Sequence, residues 1–506
     1  MLKINIVILL ILVVGVVYRL VLTSGGNFLF NMDNARDMVD VREMIELKKP
    51  RLIGPTSAIE GLYNGPAWYF LLAVPYILSD GDPYAAIVML ILFWAVGGWY
   101  LLKIVSRWGI MPLIATGALW VSSNYVVLAN LYSLNPNPVV LLTPVFIFFL
   151  EKYLKTSDLL SSITIWFLAG LFFNLEMAFG FLIPIIIFSS ILLSKGKMLK
   201  KNLYIGLGVF FIFLLPQILF ELRHDFIGIH AILNHINTYE GSYSFSARVI
   251  TILHLYRDVL TGTFLNKAII AQILLISAIL YLYFWRKEAL KNNNYILIAI
   301  ICLTIIPFVL HIILPFNVNA WHLGGVSTAS ILAVGWLSGS YAGRSSRFNV
   351  LVYSLTSFLI ISSIVNLDLM KSLNPNRENN DPSSFRNEIA AIDYVYQQAK
   401  GQNFRVYIYL PSVIDYPYQY LFWWYGLKKY GYLPKDYAYL PNQPIYISNK
   451  EKLPSKFAET NSNLVFLIKE PDRIKIRHLW ENNFSSLNKV SQVQFGSLEI
   501  EVRKEN

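Results

Sequence analysis

The sequence is poor in charge and nearly free of cysteine. Only 14% of its 506 residues are Asp, Glu, Lys or Arg, against about 25% in soluble globular domains. This shortage argues against an ordinary soluble enzyme, and the 55% hydrophobic content argues against disorder, which requires low hydrophobicity. The single cysteine, Cys302, lies in an apolar run, so one chain has neither a disulfide framework nor a thiolate metal site.

Apolar runs of about 17–20 residues follow one another along the chain, each long enough to cross a bilayer as a helix. The net charge is +11, but the basic residues stand in short clusters between these runs, as in the cytoplasmic loops of membrane proteins. We therefore expect a multi-pass protein of the plasma membrane, in contact with membrane lipid and without a nucleic-acid partner. The basic clusters are Lys103 and Arg107; Lys152 and Lys155; Lys195, Lys197, Lys200 and Lys201; Arg286, Lys287 and Lys291; and Arg344 and Arg347.

The first apolar run, at 4–22, lacks a small-residue cleavage site and is interpreted as a retained span. If the basic clusters are cytoplasmic, the pattern gives about eleven spans, with the N-terminus inside and the C-terminus outside. Residues 66–78 are too few to cross fully and are predicted to lie along the outer interface. The predicted transmembrane domain covers 1–366, with a first outer loop at 23–84 and a long outer loop at 221–266.

The last part of the chain, 367–506, has a different composition, with more asparagine, proline and charge. A helical pattern covers 385–399, and runs rich in β-branched and aromatic residues at 404–410, 464–468 and 493–502 are typical of strands. The fold class is therefore predicted to be a polytopic all-α membrane protein with a small extracytoplasmic α/β domain.

An aromatic stretch at 416–425, YPYQYLFWWY, has two interpretations. It either packs in the core of the C-terminal domain or stacks on a glycan or lipid.

Charge is concentrated in the loop after the first run, directly beside the membrane. Asp33, Arg36, Asp37 and Asp40 share one helical face through their i, i+3, i+4 and i+7 spacing. The spacing fits a solvated amphipathic helix with local ion pairs. It also fits a functional site, because ionisable groups at membrane depth are costly and usually functional.

The order of the motifs resembles the membrane glycosyltransferases of the GT-C fold that use polyprenyl-phosphate sugars, of the protein-mannosyltransferase and aminoarabinose-transferase type. The matching segments are Asp33-Asn34-Ala35-Arg36, GLYNGPAWYFLLAVP at 61–75, NLYSLNP at 130–136 and FELRHDF at 220–226. The resemblance implies transfer of a hexose or pentose, with inversion, from a polyprenyl-phosphate donor to an extracytoplasmic acceptor, which is a glycan, lipid or protein. It also implies that Asp33 is the catalytic acidic residue and that Arg36 lies near the donor phosphate.

The chemistry agrees with these assignments. A carboxylate beside an acceptor hydroxyl can act as general base, and a guanidinium stabilises the charge that grows on a departing phosphate. The sequence departs from the family pattern at Asn34, at Asn64-Gly65 and at Asn135. Because divalent metals prefer carboxylate ligands, we expect no cofactor and do not favour a metal.

Other residues are weaker candidates. Arg223 and His224 either contact the donor phosphate or cap and anchor the outer end of a span. Glu176 lies in an apolar hairpin, where charge is costly, and either binds sugar or acceptor or pairs with an arginine. A zinc site among His230, His235 and His254 is not favoured. Further candidate substrate contacts are Asp37, Tyr63, Asn64, Trp321 and His322.

Two functions of other classes stay open. A transporter or flippase for lipid-linked glycans predicts charge-lined, broken helices near the membrane centre, whereas the charges here cluster in one outer loop. A non-catalytic envelope assembly protein predicts that Asp33 is dispensable.

Overall fold

The structure, a computed structural model, describes residues 2–194, 199–238, 245–264, 294–314, 316–340, 354, 357–362, 364–365, 379–441, 447 and 449–505. Several predictions lie outside these residues. They are the cytoplasmic positions Lys195, Lys197, Arg286, Lys287, Lys291, Arg344 and Arg347.

The described part of the membrane domain is helical. Its first helices are α1 (Leu2–Thr23), α2 (Met32–Glu46), α3 (Ala67–Ser79), α4 (Pro83–Val105), α5 (Ile110–Ser122), α6 (Asn124–Leu128), α7 (Asn137–Thr156) and α8 (Leu159–Leu175). They are followed by α9 (Met177–Gly180), α10 (Leu182–Ser194), α11 (Lys200–Arg223), α12 (Ile227–Thr238), α13 (Phe245–Phe264), α14 (Tyr295–Ile313) and α15 (Gly324–Ser340).

Five helical stretches are long and apolar enough to cross a membrane: Lys3–Gly26, Pro83–Trp108, Met177–Ser194, Lys200–Arg223 and Tyr295–Ile313. Many large apolar side chains on these helices are exposed, among them Leu9 and Val14 on α1 and Phe211 and Ile212 on α11. Such a surface is stable only against lipid or another apolar partner. The protein is a polytopic helical membrane protein, and the total of about eleven spans stays a prediction.

One end of the helix bundle collects basic residues and is called the basic end. Lys103 donates a hydrogen bond of 2.7 Å to the side chain of Asn5, so the end of α4 lies beside the start of α1. Arg107 pairs with Glu151 at 2.6 Å, and Lys155 pairs with the same carboxylate. The N-terminus and the first two basic clusters therefore lie at the same end, as the charge pattern predicts.

The opposite end, called the site end, carries α2, the α8–α9 turn and the C-terminal domain. Helix α3 has 13 residues and spans about 20 Å at 1.5 Å per residue. Trp68, near its start, bonds to Asp37 of α2, and Asp80, just after its end, accepts from the C-terminal Trp424. Both ends of α3 thus lie at the site end, in agreement with a segment that does not cross.

The C-terminal domain is a mixed five-stranded sheet with helices packed against it. The strands are β1 (Asn403–Tyr409), β2 (Asp436–Ala438), β3 (Asn461–Lys469), β4 (Asn488–Phe495) and β5 (Leu498–Lys504), in the order β2-β1-β3-β5-β4. Strand β1 is parallel to β2 and β3, whereas β5 is antiparallel to β3 and β4. The helices are α16 (Phe385–Ala399), α17 (Tyr416–Leu421), α18 (Leu427–Tyr430) and α19 (Arg477–Glu481).

Two sequence predictions for this domain have different outcomes. The helix at 385–399 is confirmed, because α16 has these bounds. The single strand at 493–502 is wrong: the segment is a hairpin of β4 and β5 that turns at Gly496, whose φ is +55°. A positive φ is readily adopted by glycine, so the chain reverses within the apolar run.

The C-terminal domain docks on the first outer loop through backbone and side-chain contacts. Phe30 N donates to Ser383 O at 2.8 Å, and Phe385 N donates to Phe28 O at 3.0 Å. The aromatic stretch contributes to both surfaces. Tyr418 and Phe422 are buried in the domain, whereas Trp424 reaches the loop after α3.

A buried arginine lies inside the bundle. The Arg19 side chain of α1 is fully buried, with its guanidinium carbon 3.9 Å from the ring centroid of Trp94 on α4. Its Nε donates to the side-chain oxygen of Asn130 at 2.7 Å. The contacts fix α1 against helices that are distant in sequence.

Candidate active site

Helix α2 begins with a capping box that fixes its first turn. The Asn31 side chain accepts hydrogen bonds from the backbone N–H groups of Asp33 and Asn34, at 3.1 and 3.2 Å. The Asn34 side chain in turn accepts from the backbone N–H of Asn31. Asn34, which stands at the first departure from the family pattern, is fully buried. Through the capping box, its side chain stabilises the start of the helix.

Arg36 joins two carboxylates on one face of α2. Its Nη1 lies 3.0 Å from Asp33 Oδ1, and its Nη2 lies 2.9 Å from Asp37 Oδ1. The Asp33 side chain is 45% exposed and that of Arg36 is 17% exposed, whereas that of Asp37 is fully buried. Nε also bonds to Asp37. Among the described residues, one N–H on each Nη of the five-donor guanidinium therefore remains available to another acceptor.

Asp37 is held from both sides. Trp68 donates from its indole Nε1 to Asp37 Oδ2 at 2.7 Å, while Arg36 occupies the other oxygen. Burial raises the pKa of Asp37 to about 7, although Arg36 and Trp68 both favour the charged form. Burial alone would lower the pKa of Arg36, but the nearby Asp37, Tyr69 and Asp33 raise it above its ordinary value.

A second network continues along α2. Tyr69 donates its hydroxyl to Asp40 Oδ2 at 2.7 Å, and Arg51 Nη2 lies 2.7 Å from Asp40 Oδ1 and 3.1 Å from Glu43 Oε2. Asn449 of the C-terminal domain also donates to Glu43, at 2.9 Å. Burial raises the pKa of Asp40. The network therefore connects α2, α3 and the C-terminal domain through polar contacts.

Arg42, between Asp40 and Glu43 in the sequence, faces the C-terminal domain. Its side chain is 1% exposed, and its guanidinium carbon lies 4.8 Å from the ring centroid of Trp423 and 5.9 Å from that of Tyr420. Trp423 lies in a π-helical turn, Phe422–Gly426. Among the described residues, Nε and Nη2 of Arg42 have no hydrogen-bond partner. The positive charge of Arg42 is therefore stabilised here by cation–π contact with these rings.

A further polar group lies at the site end, around the turn between α8 and α9. Glu176 accepts a hydrogen bond from the backbone N–H of Ala178, and its Oε1 is 3.9 Å from His322 Nε2. The backbone N–H of Met177 donates to the Asn64 side chain at 3.3 Å, which links this turn to the first outer loop. The structure thus brings together Glu176, His322 and Asn64, with Trp321 beside them.

Arg223 and His224 lie at the site end of α11, and within the described residues no ion pair joins either of them to Asp33 or Arg36. Both are exposed, and Arg223 forms no ion pair within the described ranges. The His224 ring stacks on Phe220 with centroids 4.1 Å apart, and Phe220 contacts the ring of Tyr63. The predicted phosphate contacts therefore fall into separate groups, and Tyr63 lies next to the group on α11.

Sequence reasoning missed several residues of the site: Trp68, Tyr69, Arg51 and Asn449. The segment at 61–75 matches a family motif. The hydrogen bonds from its Trp68 and Tyr69 side chains to α2 could not be predicted, because a single sequence does not show which distant residues are in contact.

No set of three or more His, Cys, Asp or Glu side chains is arranged as metal ligands in the part of the chain that the structure describes. Asn135, at the third departure from the family pattern, donates from its side chain to the carbonyl of Leu175. The expectation that no metal takes part stays a prediction.

No protein-family model and no curated protein sequence matches the chain. The fold matches crystal structures of ArnT, an aminoarabinose transferase, from Cupriavidus metallidurans. The apo structure has a TM-score of 0.57 and 12% sequence identity, covering 98% of this chain and 97% of that chain. A structure bound to undecaprenyl phosphate has a TM-score of 0.56 and 13% identity with the same coverage. The chain has the GT-C fold, as its motifs implied.

Proposed function

We propose that this GT-C-fold protein is a membrane glycosyltransferase. It transfers a sugar, with inversion, from a polyprenyl-phosphate donor to an extracytoplasmic acceptor. The observation that carries the proposal is the exposed Asp33 carboxylate beside Arg36, whose guanidinium is fixed by the buried Asp37. The undecaprenyl phosphate bound to the similar ArnT structure supports a polyprenyl-phosphate donor.

Asp33 is the general base of the proposed reaction. The acceptor hydroxyl attacks the anomeric carbon, the bond between that carbon and the phosphate oxygen breaks, and the hydroxyl proton passes to the Asp33 carboxylate. Asp37 is unsuited to this step, because it is fully buried and both of its oxygens accept hydrogen bonds from Arg36 and Trp68.

Arg36 contacts the donor phosphate in the same reaction. Its two remaining N–H groups can donate to phosphate oxygens, on which negative charge grows as the sugar leaves. When Asp33 takes up the proton, its attraction for Arg36 weakens, so the Nη1 group that Asp33 held becomes available to the phosphate as the charge develops. Asp37 is a positioning residue that keeps Arg36 in place through this change.

The test is transfer of labelled sugar from hexose- and pentose-linked undecaprenyl phosphates, in membranes that contain the protein. Asp33→Asn is expected to lower transfer by about 10²–10⁴-fold, which is the usual contribution of a positioned base. The matched control is Asp258→Asn, an exposed carboxylate on α13 that pairs with its neighbour Arg257. Full activity in Asp33→Asn would overturn the assignment of the base. If the unmodified protein consumed none of these lipids, the glycosyltransferase proposal would fail, and a transporter or an assembly protein would take its place.

A further inference from the structure

A pair of buried polar side chains lies outside the Asp33–Arg36 group. Glu176 lies in the break between α8 and α9, and His322 lies in the short helix Ala320–Leu323 that precedes α15. Their side chains are 11% and 15% exposed, so they are largely buried but reachable. The 3.9 Å between His322 Nε2 and Glu176 Oε1 is too long for a hydrogen bond.

The protonation of the pair follows from its neighbours. The backbone N–H of Asn319 donates to His322 Nδ1 at 3.1 Å, so in the neutral ring the proton is on Nε2. Burial lowers the pKa of His322 to about 4 and raises that of Glu176 to about 7. At pH 7 the histidine is therefore neutral. The Nε2–H donor of His322 therefore faces the acceptor oxygen of Glu176 across a gap, and the two side chains do not form an ion pair.

We propose that a sugar hydroxyl fills this gap, accepting a hydrogen bond from His322 Nε2 and donating one to the Glu176 carboxylate. A hydroxyl is both a donor and an acceptor, and one oxygen about 2.8 Å from each atom bridges the 3.9 Å separation. The inference rests on the proposed glycosyltransferase function and assigns it a sugar-recognition subsite.

The surroundings of the pair suit a carbohydrate. Trp321 is 54% exposed, and its ring stands at 82° to that of His322, with centroids 5.7 Å apart. An exposed aromatic surface beside a few directed polar groups is typical of small-molecule sites. The apolar face of a sugar ring can stack on Trp321, while His322 and Glu176 hydrogen-bond to one of its hydroxyls.

The subsite is tied to the catalytic group through the first outer loop. Asn64 accepts from the backbone N–H of Met177, next to Glu176, and Trp68, four residues later, bonds to Asp37. Four residues span at most about 14 Å. Gly65 lies between them against Asn174, and a Cβ on Gly65 would lie 1.9 Å from the Asn174 side-chain oxygen. Both clusters are therefore within reach of one extended substrate.

Matched variants of His322 distinguish the role of its Nδ1 from that of its Nε2. His322→Asn retains an oxygen that can accept from the Asn319 N–H, but it loses the donor at Nε2. His322→Gln places an amide N–H near the position of Nε2 and is the rescue variant. Glu176→Gln retains an oxygen that can accept from Ala178 N, but it removes the charge and replaces the other oxygen by an NH2 donor.

Binding is measured with full-length protein in detergent, using undecaprenyl phosphate and the sugar-linked undecaprenyl phosphate that the unmodified protein consumes. His322→Asn is expected to weaken binding of the sugar lipid by about 10-fold, as expected for one lost hydrogen bond with an unpaired partner. Binding of undecaprenyl phosphate should be unchanged, and His322→Gln should restore most of the affinity. Glu176→Gln should have a smaller effect, about 3-fold, because charge-assisted bonds are about twice as strong as neutral ones.

The same variants also show whether the hydroxyl belongs to the sugar of the donor lipid or to the acceptor. If binding of both lipids is unchanged while transfer to the acceptor present in the membranes falls about 10-fold, the hydroxyl belongs to the acceptor and the subsite stands. If binding and transfer both match the unmodified protein, or if binding of the two lipids falls equally, a water fills the gap and the inference is wrong. A protein that transfers no sugar in any form would instead contradict the proposed function.

Discussion

Trp68 donates a hydrogen bond of 2.7 Å to Asp37, a residue 31 positions earlier in the chain. Both side chains are fully buried, so neither group can exchange this partner for water without a change in packing. A buried carboxylate without donors is strongly destabilised. The indole therefore stabilises the charge that holds Arg36, and it attaches α3 to α2 at the site.

The first prediction concerns this bond. Trp68→Phe removes a donor that favours the carboxylate form, so the pKa of Asp37 should rise above about 7 by roughly 1 unit. If ionised Asp37 is needed to place Arg36, the acidic limb of the pH–activity profile moves to higher pH. The profile of kcat/KM for sugar transfer measures this shift, which a loss of stability alone would not produce.

Tyr69→Phe is the matched control for that experiment. It removes the neighbouring donor, which serves Asp40 and not Asp37. An unshifted profile in Trp68→Phe, or equal shifts in both variants, would contradict the coupling between Trp68 and Arg36.

The second prediction concerns the donor phosphate. Arg36→Lys keeps a positive charge but loses the planar fork that contacts two carboxylates at once. We expect affinity for undecaprenyl phosphate to fall by about 10-fold, measured by equilibrium binding to the purified protein. Arg257→Lys is the control, because Arg257 pairs only with the exposed Asp258 among the described residues. Equal affinities in all three proteins would exclude Arg36 as the phosphate contact.

The third prediction concerns stability of the C-terminal domain. Glu388 on α16 is fully buried, and neither of its oxygens has a hydrogen-bond partner among the described residues. Burial, with Glu470 and Asp381 nearby, raises the pKa of Glu388 well above its ordinary value. The folded protein therefore retains a proton that the unfolded chain loses above about pH 4.3.

The sign follows from this difference in proton binding. The stabilising contribution of protonated Glu388 is complete below the unfolded pKa and is lost as the pH rises toward the folded pKa. Glu388→Gln removes the titration, so its Tm should exceed that of the unmodified protein at pH 7.5 and differ less at pH 5. Glu451→Gln, at an exposed position, serves as the control. A Tm difference that does not grow with pH would count against a protonated Glu388.

The fourth prediction concerns orientation. Single cysteines at Lys155, at the basic end, and at Lys428, in the C-terminal domain, are compared in a Cys302→Ala background. Because basic loops stay in the cytoplasm, an impermeant thiol reagent should label position 428 in intact cells and position 155 only after lysis. Labelling of position 155 in intact cells would reverse the topology.

Residue spacing over one or two helical turns was sufficient to predict some helices from the sequence. The i, i+3, i+4 spacing of Asp33, Arg36 and Asp37 indicated α2, and amphipathic periodicity indicated α16. The short strand β2, at Asp436–Ala438, was missed, because three residues carry too little pattern to distinguish a strand from a loop.

Contacts between distant segments could not be predicted in the same way. In the sequence, Asn34 is a departure from the family pattern, whereas in the structure its side chain caps α2. Arg51 and Asn449 meet at Glu43 although they lie in different domains. The aromatic stretch at 416–425 packs in the core of its domain, as one of its two interpretations predicts, and it also forms the seam with Arg42. Its stacking on a glycan or lipid stays a prediction.

The buried Arg19 has a consequence for biosynthesis. Its acceptor, Asn130, is 111 residues further along the chain, and a ribosome working at about 5–20 residues per second needs on the order of ten seconds to reach it. During that time the nascent α1 carries a charge without its final partners, and a long side chain near a helix end extends to the lipid headgroups. Helix α1 thus reaches its final position only after Trp94 and Asn130 have been made, when its arginine can turn inward.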